Sequence, residues 1–215
     1  MAKKKLQHHT LEYRPAKPTD GQIASRLLYP SFSKKATFLI GLGDEERAKA
    51  IIKNLFALEG HRLSYQFAEF AYLDGRVVGI NIAYPARELG KLNRKLGQLL
   101  LKQYRLRGKF ALIVRGLSSL FITEAAKDEF LLSNLSVKRQ LRGQGIGGEI
   151  ISHLEETSLA KGCSKVSIMV SVEEKKLRSF YEGCGYKVKA IYLESNKRVK
   201  YLGPGYLRMV KDLTG

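Results

Sequence analysis

A glycine-rich turn, Arg142-Gly143-Gln144-Gly145-Ile146-Gly147, separates two regular segments in the second half of the chain. An apolar, strand-like run from Glu129 to Val137 precedes it, and a helix-like run that reaches about Lys161 follows it. Glycine lets a backbone approach a ligand closely, and the N-terminus of a helix offers free N–H groups and a favourable dipole to an anion. The order of strand, turn and helix therefore predicts a site for a phosphate-bearing cofactor.

Other phosphate-binding turns fit these residues less well. A P-loop requires Lys followed by Ser or Thr after its glycines, and this turn has neither. Gly143-x-Gly145-x-x-Gly148 matches the dinucleotide fingerprint, but a long chain precedes it and the acids Glu173 and Glu174 lie too far away to bind a ribose. A glycine-rich helix start that binds no ligand is the remaining alternative.

A second motif lies downstream, in Phe180-Tyr181-x-x-x-Gly185-Tyr186. Taken in order with Arg142-x-x-Gly145-x-Gly147, it resembles the paired motifs of the GNAT (Gcn5-related) N-acetyltransferase superfamily. The resemblance is clear from Glu129 to Asp212 and covers the first half of the chain only in outline. It implies an α/β fold with a mixed, largely antiparallel central sheet that is flanked by helices and split at the cofactor.

The resemblance also implies a reaction, in which an amine acceptor attacks acetyl-coenzyme A (acetyl-CoA) directly and no metal takes part. The implied cofactor-binding residues belong to the strand and the turn: Leu135, Ser136, Val137, Arg142, Gly143, Gln144, Gly145, Ile146, Gly147 and Gly148. Tyr181 is the implied catalytic residue, a general acid that protonates the leaving thiolate.

The sequence departs from the family pattern at the start of the second helix. Glu174 stands where many members have an asparagine that contacts the pantetheine arm, and Leu177 replaces a common alanine. The strand predicted before this helix, Lys165 to Ser171, also lacks the glutamate that some members use as general base. Glu69, Glu129 and Glu173 are candidates for the base by rough position, and the acceptor is open between a small amine, a polyamine, an antibiotic, an amino acid and a protein N-terminus or lysine.

The first half of the chain contains elements that suit the same outline. We predict a short strand, two capped helices and a hairpin that turns at Asp74-Gly75, a strong two-residue turn signal. Their predicted ranges are Leu11 to Arg14, Thr19 or Asp20 to Tyr29, Asp44 to Leu58, Gln66 to Leu73 and Arg76 to Tyr84.

Residues 86–127 form an extra segment between the third and fourth strands. Leu89, Leu92, Leu96, Leu99 and Leu100 fall on one helical face. A second, more buried helix is predicted from Phe110 to Phe121. This helical insertion could cover the acceptor side of the site, or it could be a helical hairpin that packs on the sheet.

Composition predicts one domain, at residues 11–215, behind a basic N-terminal tail at residues 1–10. Of the 215 residues 44% are hydrophobic and 27% are charged, as in ordinary globular proteins. No apolar run is long enough for a membrane span, and the tail lacks the apolar core of a secretory signal. Two cysteines make no disulfide framework, and the histidines show no metal-ligand spacing, so a cytoplasmic protein is expected.

The charge is unusual, because 38 Lys and Arg stand against 20 Asp and Glu, a formal net charge of +18. Attraction of an anionic cofactor, a nucleic-acid or ribosomal partner, and a merely solvated basic surface all account for it. The second hypothesis is therefore a non-catalytic module with this fold that binds nucleic acid or the ribosome. The basic segment from Arg87 to Arg115 contains few aromatic residues, so no base-stacking platform is indicated. A cationic acceptor is disfavoured by the same charge.

Overall fold

The computed structural model describes residues 11–116 and 123–214, so the expected basic tail at 1–10 lies outside the described residues. The described helices and strands are, in chain order, β1 (Glu12–Pro15), α1 (Gly21–Leu28), α2 (Ser33–Lys35, continued by a π-helix at Ala36–Ile40), α3 (Glu45–Phe56), β2 (Ala68–Leu73), β3 (Arg76–Pro85), α4 (Leu89–Lys102), α5 (Leu106–Gly116), β4 (Glu129–Val137), α6 (Ile146–Ala160), β5 (Lys165–Ser171), α7 (Lys175–Gly183), β6 (Lys187–Leu193), α8 (Asn196–Leu202) and β7 (Gly205–Asp212).

The strands form one seven-stranded sheet in the order β1-β2-β3-β4-β5-β7-β6. β4 and β5 run parallel, and the other neighbouring pairs run antiparallel. Helices α1, α3 and α4 cover one face, here called the α1 face, where Leu28, Ile52 and Ile82 belong to a shared core. Helices α6 and α7 cover the opposite α6 face, where Leu154 and Tyr181 are buried. The predicted mixed, largely antiparallel sheet flanked by helices is confirmed.

Local sequence explains where these elements begin and turn. Asp74 and Gly75 have φ angles of 50° and 70°, the left-handed pair that a tight two-residue hairpin requires. The Asp44 side chain accepts a hydrogen bond of 2.9 Å from the backbone N–H of Arg47, so it caps α3. Pro15 ends the edge strand β1, where its missing N–H costs no sheet hydrogen bond.

The insertion consists of α4 and α5, which lie between β3 and β4 as predicted. Helix α4 buries Leu92 and Leu100 against the α1-face core. The prediction of a more buried second helix from Phe110 is wrong over the described residues, because α5 begins at Leu106 and contains no buried residue, and Phe110 is 71% exposed. Leu112 of α5 packs against the α1-face core, whereas Leu106, Phe110, Ile113 and Val114 are exposed. The predicted remainder, 117–121, lies outside the described residues.

Candidate functional site

The parallel strands β4 and β5 pair along only part of their length. Their register runs from Glu129 opposite Lys165 to Leu132 opposite Ile168 and stops there, although β4 continues to Val137 and β5 continues to Ser171. Within the described residues, the last residues of β4 therefore keep their partner β3 on one side and have no strand partner on the other. We call this opening the β4–β5 gap. The gap supplies exposed peptide groups that can bind an extended ligand arm.

A β-bulge marks the point in β4 where the gap opens. On β3, Ile82 pairs with Asn134 and Ala83 pairs with Leu132, so Ser133 is the extra residue. The bulge directs two adjacent side chains to the α1 face, because Ser133 Oγ bonds with Arg62 and the Asn134 amide donates to Ser31 Oγ at 3.4 Å. The bulge thus places two polar side chains at the gap on the face opposite α6.

The glycine turn lies just beyond β4 and presents free backbone donors at the start of α6. Gly143 and Gly145 have φ angles of 78° and 88°, which only glycine adopts without strain. Among the described residues, the N–H groups of residues 143–147 have no hydrogen-bond acceptor, whereas the next amide, that of Gly148, bonds to Gly145 O at 2.9 Å. We call residues 142–147 the cradle, and its free amides at a helix N-terminus are of the kind that suits an anion.

The side chains around the cradle hold it in shape. Ile146 is 4% exposed and anchors the first turn of α6 in the core. The Arg142 Nε donates to Val137 O at 3.1 Å, which ties the turn to the end of β4. A Cβ atom on Gly147 would lie 3.2 Å from the Phe180 ring, so the glycine lets α6 and α7 approach closely.

The remaining predicted cofactor residues contribute backbone rather than side chains. Leu135 and Val137 pack their side chains into the α6-face core, and Ser136 is buried. Gln144 is exposed and donates its side-chain amide to Gln140 O, and Gly148 has open space where a side chain would begin. The structure thus brings the predicted cofactor residues together along one line, from the β4–β5 gap to the start of α6.

Tyr181 lies on α7 beside the Phe180 and Tyr186 rings, with centroid distances of 5.1 Å and 5.7 Å. Tyr181 is 2% exposed, and burial raises the pKa of its hydroxyl well above the usual value. Its hydroxyl has no hydrogen-bond partner among the described residues, yet, unlike that of Tyr186, it is not fully shielded from solvent. Tyr181 therefore presents a protonated, unengaged hydroxyl at neutral pH.

A charged network lies on the α1 face at the bulge. Arg62 holds Glu124 through two hydrogen bonds of 2.7 Å and 2.5 Å, and it also donates to Ser133 Oγ at 3.1 Å. Burial opposes the ionisation of Glu124, but the Arg62 guanidinium outweighs it and lowers the pKa of Glu124 to about 2. Glu124 is thus an ionised, neutralised carboxylate and not a ready proton acceptor.

The three base candidates occupy different places. Glu129 begins β4, and both of its oxygens bond with Arg208 at 2.5 Å and 2.6 Å. Glu69 lies two strands away on β2 and bonds with His153 at 2.9 Å. Glu173 follows β5 at the open end of the gap, where it pairs with Lys34 at 2.9 Å. The structure does not bring these three carboxylates together, and each has a partner.

Sequence reasoning missed the residues on the α1 face of the gap. Arg62, Glu124 and Ser133 come from separate parts of the chain, so no motif joins them. One signal was available, because two adjacent polar residues, Ser133 and Asn134, interrupt the apolar run of β4. Such an interruption is typical of a bulge that changes the direction of side chains.

Two searches across residues 11–116 and 123–214 gave no candidates. No cluster of three or more His, Cys, Asp or Glu side chains suited to a metal ion was found. None of the helices there has the length and apolarity needed to cross a bilayer.

Comparison with known proteins agrees with this geometry. The chain superimposes on "The crystal structure of acetyltransferase" with a TM-score of 0.67 at 24% identity, over 94% of this chain and 99% of that one. It superimposes on an N-acetyltransferase from Staphylococcus aureus Mu50 with a TM-score of 0.69 at 16% identity, over 93% and 99% of the two chains. At these identities the similarity shows the fold alone.

The sequence matches short stretches of individual proteins and a longer family model. Acetyltransferase SG1711 of Sodalis glossinidius (strain morsitans) is 35% identical over 65 residues, 30% of this chain and 46% of that protein. The thialysine N-epsilon-acetyltransferase of Bos taurus is 39% identical over 54 residues, 25% and 32% of the two chains. The matches thus span less than half of these curated relatives. The model of the Acetyltransferase (GNAT) family matches residues 40–186. Because this match covers more than half of the chain and the sheet, bulge and cradle fit it, the protein belongs to the GNAT acetyltransferase family.

Proposed function

We propose that the protein is an N-acetyltransferase that transfers the acetyl group of acetyl-CoA to an amine by direct attack. The observation that carries the proposal is the continuity of the β4–β5 gap with the cradle. The gap begins after Leu132, and the unbonded amides of residues 143–147 follow at its open end. A ligand with an extended arm and a pyrophosphate fits this combination of free strand edge and helix N-terminus.

The cradle and the end of β4 have distinct roles in this proposal. The amides of residues 143–147 and the dipole of α6 bind the pyrophosphate, and the outer nitrogens of Arg142 add a charge-assisted contact. Backbone groups of Leu135, Ser136 and Val137 hold the pantetheine arm. The donor supplies an acetyl group that is already activated as a thioester. A β4 amide directed at the thioester carbonyl would stabilise the negative charge that develops there.

Tyr181 holds the proton that the leaving thiolate requires. Because burial raises its pKa, the hydroxyl stays protonated across the neutral range. A thiol has an ordinary pKa of about 8.5, so the thiolate leaves tolerably well unaided and the gain from Tyr181 is modest. Because the three glutamates proposed as bases have partners, we propose that the acceptor amine loses its proton to water or arrives neutral.

The direct test is calorimetric titration of acetyl-CoA into the wild-type protein and into Gly145→Glu. The substitution adds bulk and negative charge to the cradle, so we expect binding to be lost. Gly162→Glu is the matched control, because Gly162 also has a positive φ, of 74°, but lies at the other end of α6. Both variants carry the same backbone strain, so a difference between them reports the cradle.

Binding by the wild type and by Gly162→Glu, and not by Gly145→Glu, supports the proposal. A folded wild-type protein that does not bind acetyl-CoA overturns it. The alternative hypothesis, a non-catalytic module that binds nucleic acid or the ribosome, rests on the charge of the chain alone. It gains weight only in that second outcome.

A further inference from the structure

Helix α2 crosses the open end of the β4–β5 gap on the α1 face. On one side, Ser31, just before α2, accepts a hydrogen bond from Asn134 of the β4 bulge. On the other side, Lys34 of α2 pairs with Glu173 at 2.9 Å, in the turn that follows β5. The helix is therefore connected to both edges of the gap, and Lys35 is its last residue.

The Lys35 ammonium lies near Tyr206 at the end of β5 and within electrostatic reach of Glu124 and Arg62, the pair beside the β4 bulge. The ammonium lies 5.4 Å from the centre of the Tyr206 ring, and Tyr206 pairs with Ser171, the last residue of β5. Glu124, Arg62 and Glu194 are the charged groups that influence it. Lys35 is partly buried, and burial lowers the pKa of its ammonium.

The acids near Lys35 do not neutralise it by contact. Glu124 is held by both nitrogens of the Arg62 fork, and Glu194 lies beyond ion-pair distance of the Lys35 ammonium. Within the described part of the chain, no carboxylate approaches the Lys35 ammonium within 4.0 Å. A partly buried cation without such a partner is costly in an empty site, and a bound anion would remove that cost.

A second observation concerns the surface next to α2. A cleft of about 1280 Å³ lies between α1, α3 and α8, and it reaches Ser33 and Lys34 of α2. Glu45 and Glu46 are the acids of this cleft, and both pair with Lys49. Six basic residues line it: Arg26, Lys34, Lys49, Lys53, Arg115 and Lys200. The surface beside α2 is thus positively charged, which attracts anionic molecules.

We infer that the acceptor is an amine that also carries an anionic group, a carboxylate or a phosphate, and that the Lys35 ammonium binds this group at the α1 face of the gap. The inference rests on the proposed acetyl transfer and specifies its substrate class. When Lys35 binds the anionic group of the acceptor, the amine of the same molecule is directed towards the bulge at Ser133 and Asn134, where the β4–β5 gap opens. The basic cleft attracts the acceptor and disfavours polyamines and basic peptides.

The test compares matched pairs of amines that differ in the anionic group. The pairs are glycine and glycinamide, β-alanine and β-alaninamide, L-lysine and L-lysinamide, and O-phosphoethanolamine and ethanolamine. Acetyl transfer is measured by thiol release with the wild type, Lys35→Met and Lys34→Met. Lys34 is the matched control because it is the adjacent lysine, but it is exposed and already paired with Glu173. Calorimetry with acetyl-CoA shows that each variant keeps the donor site.

We expect the anionic member of at least one pair to have a kcat/KM about tenfold higher, the scale of one charge-assisted contact. Lys35→Met should remove this preference mainly through KM, and Lys34→Met should retain it. A preference for carboxylates over phosphate, or the reverse, identifies which group Lys35 binds. Equal use of the neutral members, or a preference that survives Lys35→Met, would overturn the inference.

The same pairs are titrated by calorimetry without acetyl-CoA, so that the anion site is tested apart from catalysis. Tighter binding of the anionic members that Lys35→Met abolishes supports the site even if the wild type transfers no acetyl group. Failure to bind acetyl-CoA contradicts the proposed function and leaves this binding result to decide on Lys35. Absence of both transfer and charge-dependent binding contradicts the inference about Lys35, and the titration of acetyl-CoA then decides on the proposed function.

Discussion

The two sides of the β4–β5 gap are built in different ways. On the α6 side, the cradle consists of backbone amides whose direction is fixed by Gly143, Gly145 and the buried Ile146, all close in sequence. On the α1 side, the polar groups are side chains from distant segments, such as Arg62 and Glu124, which meet only in the folded chain. One side offers peptide groups and a helix dipole to a ligand, and the other offers charged and polar side chains.

This difference teaches where specificity resides. A backbone cradle can hold the same phosphate in many proteins that share the glycine pattern, because the side chains hardly matter. A set of side-chain charges can be exchanged without altering the sheet, so it can be adapted to one acceptor. We therefore expect substitutions on the α1 side to change stability and acceptor choice, and substitutions on the α6 side to change donor binding.

The largest effect should come from breaking the Arg62–Glu124 pair. These side chains are 16% and 17% exposed, so Glu124→Ala leaves a poorly solvated guanidinium without its counter-ion. We expect a loss of about 3 kcal/mol in the free energy of unfolding, measured with urea. The double variant Arg62→Met/Glu124→Leu should recover much of that loss, and acetyl-CoA affinity should change little in either. Equal stability of Glu124→Ala and the wild type would contradict this view of the α1 side.

The insertion provides a second comparison, between its two helices. Leu92 of α4 is 2% exposed, so Leu92→Ala should cost about 3 kcal/mol in the free energy of unfolding. Phe110 of α5 is 71% exposed, so Phe110→Ala should change the same quantity by less than about 0.5 kcal/mol. A large loss for Phe110→Ala would mean that α5 is covered in solution.

Tyr181→Phe tests the donor side without disturbing its packing. We expect kcat to fall by about tenfold to a hundredfold, because one proton donor is lost while the ring stays in place. Because burial raises the pKa of Tyr181 above its usual value of 10.0, its protonated form persists up to that pH, and the wild-type kcat should show no fall from this group below about pH 10. Tyr186→Phe is the control, and its kcat should match that of the wild type. Equal kcat values for the wild type and Tyr181→Phe would contradict the role of Tyr181 as general acid.

The smallest effect concerns the stability that the charge of Lys35 costs the folded protein. Because burial lowers the pKa of Lys35 in the folded state below its unfolded value, the charged form costs stability when the pH is below both values. Lys35→Met should therefore raise the free energy of unfolding by about 1 kcal/mol at pH 7. The gain should shrink as the pH rises through the folded pKa towards the unfolded value of about 10.4. Urea unfolding at pH 7 and pH 10 measures this gain. Lys34→Met is the control, and its change in the free energy of unfolding should be near zero at both pH values because Lys34 is exposed. A gain for Lys35→Met that grows with pH would contradict the direction of the pKa shift.

Local patterns predicted the elements of the second half of the chain closely. β4 and β5 begin and end at the predicted residues, Glu129 to Val137 and Lys165 to Ser171. Strong alternation or apolar runs, with glycine or charged residues at their ends, define such strands without tertiary information. The burial of α5 could not be predicted in this way, because apolar composition indicates a helix and its period but not whether another element covers it. The individual roles assigned to the cradle residues and to Tyr181 stay predictions.

The sequence by itself determined the fold family and the place of the glycine turn between β4 and α6, because both depend on motifs whose residues are close together in the chain. Only the tertiary structure decided that the gap opens at a bulge after Leu132 and that Lys35 and Arg62 lie on its far side. Strand pairing between distant segments, and charge pairing across 62 residues as between Arg62 and Glu124, depend on how the sheet brings these segments together. That arrangement is a property of the packed chain and not of any one segment.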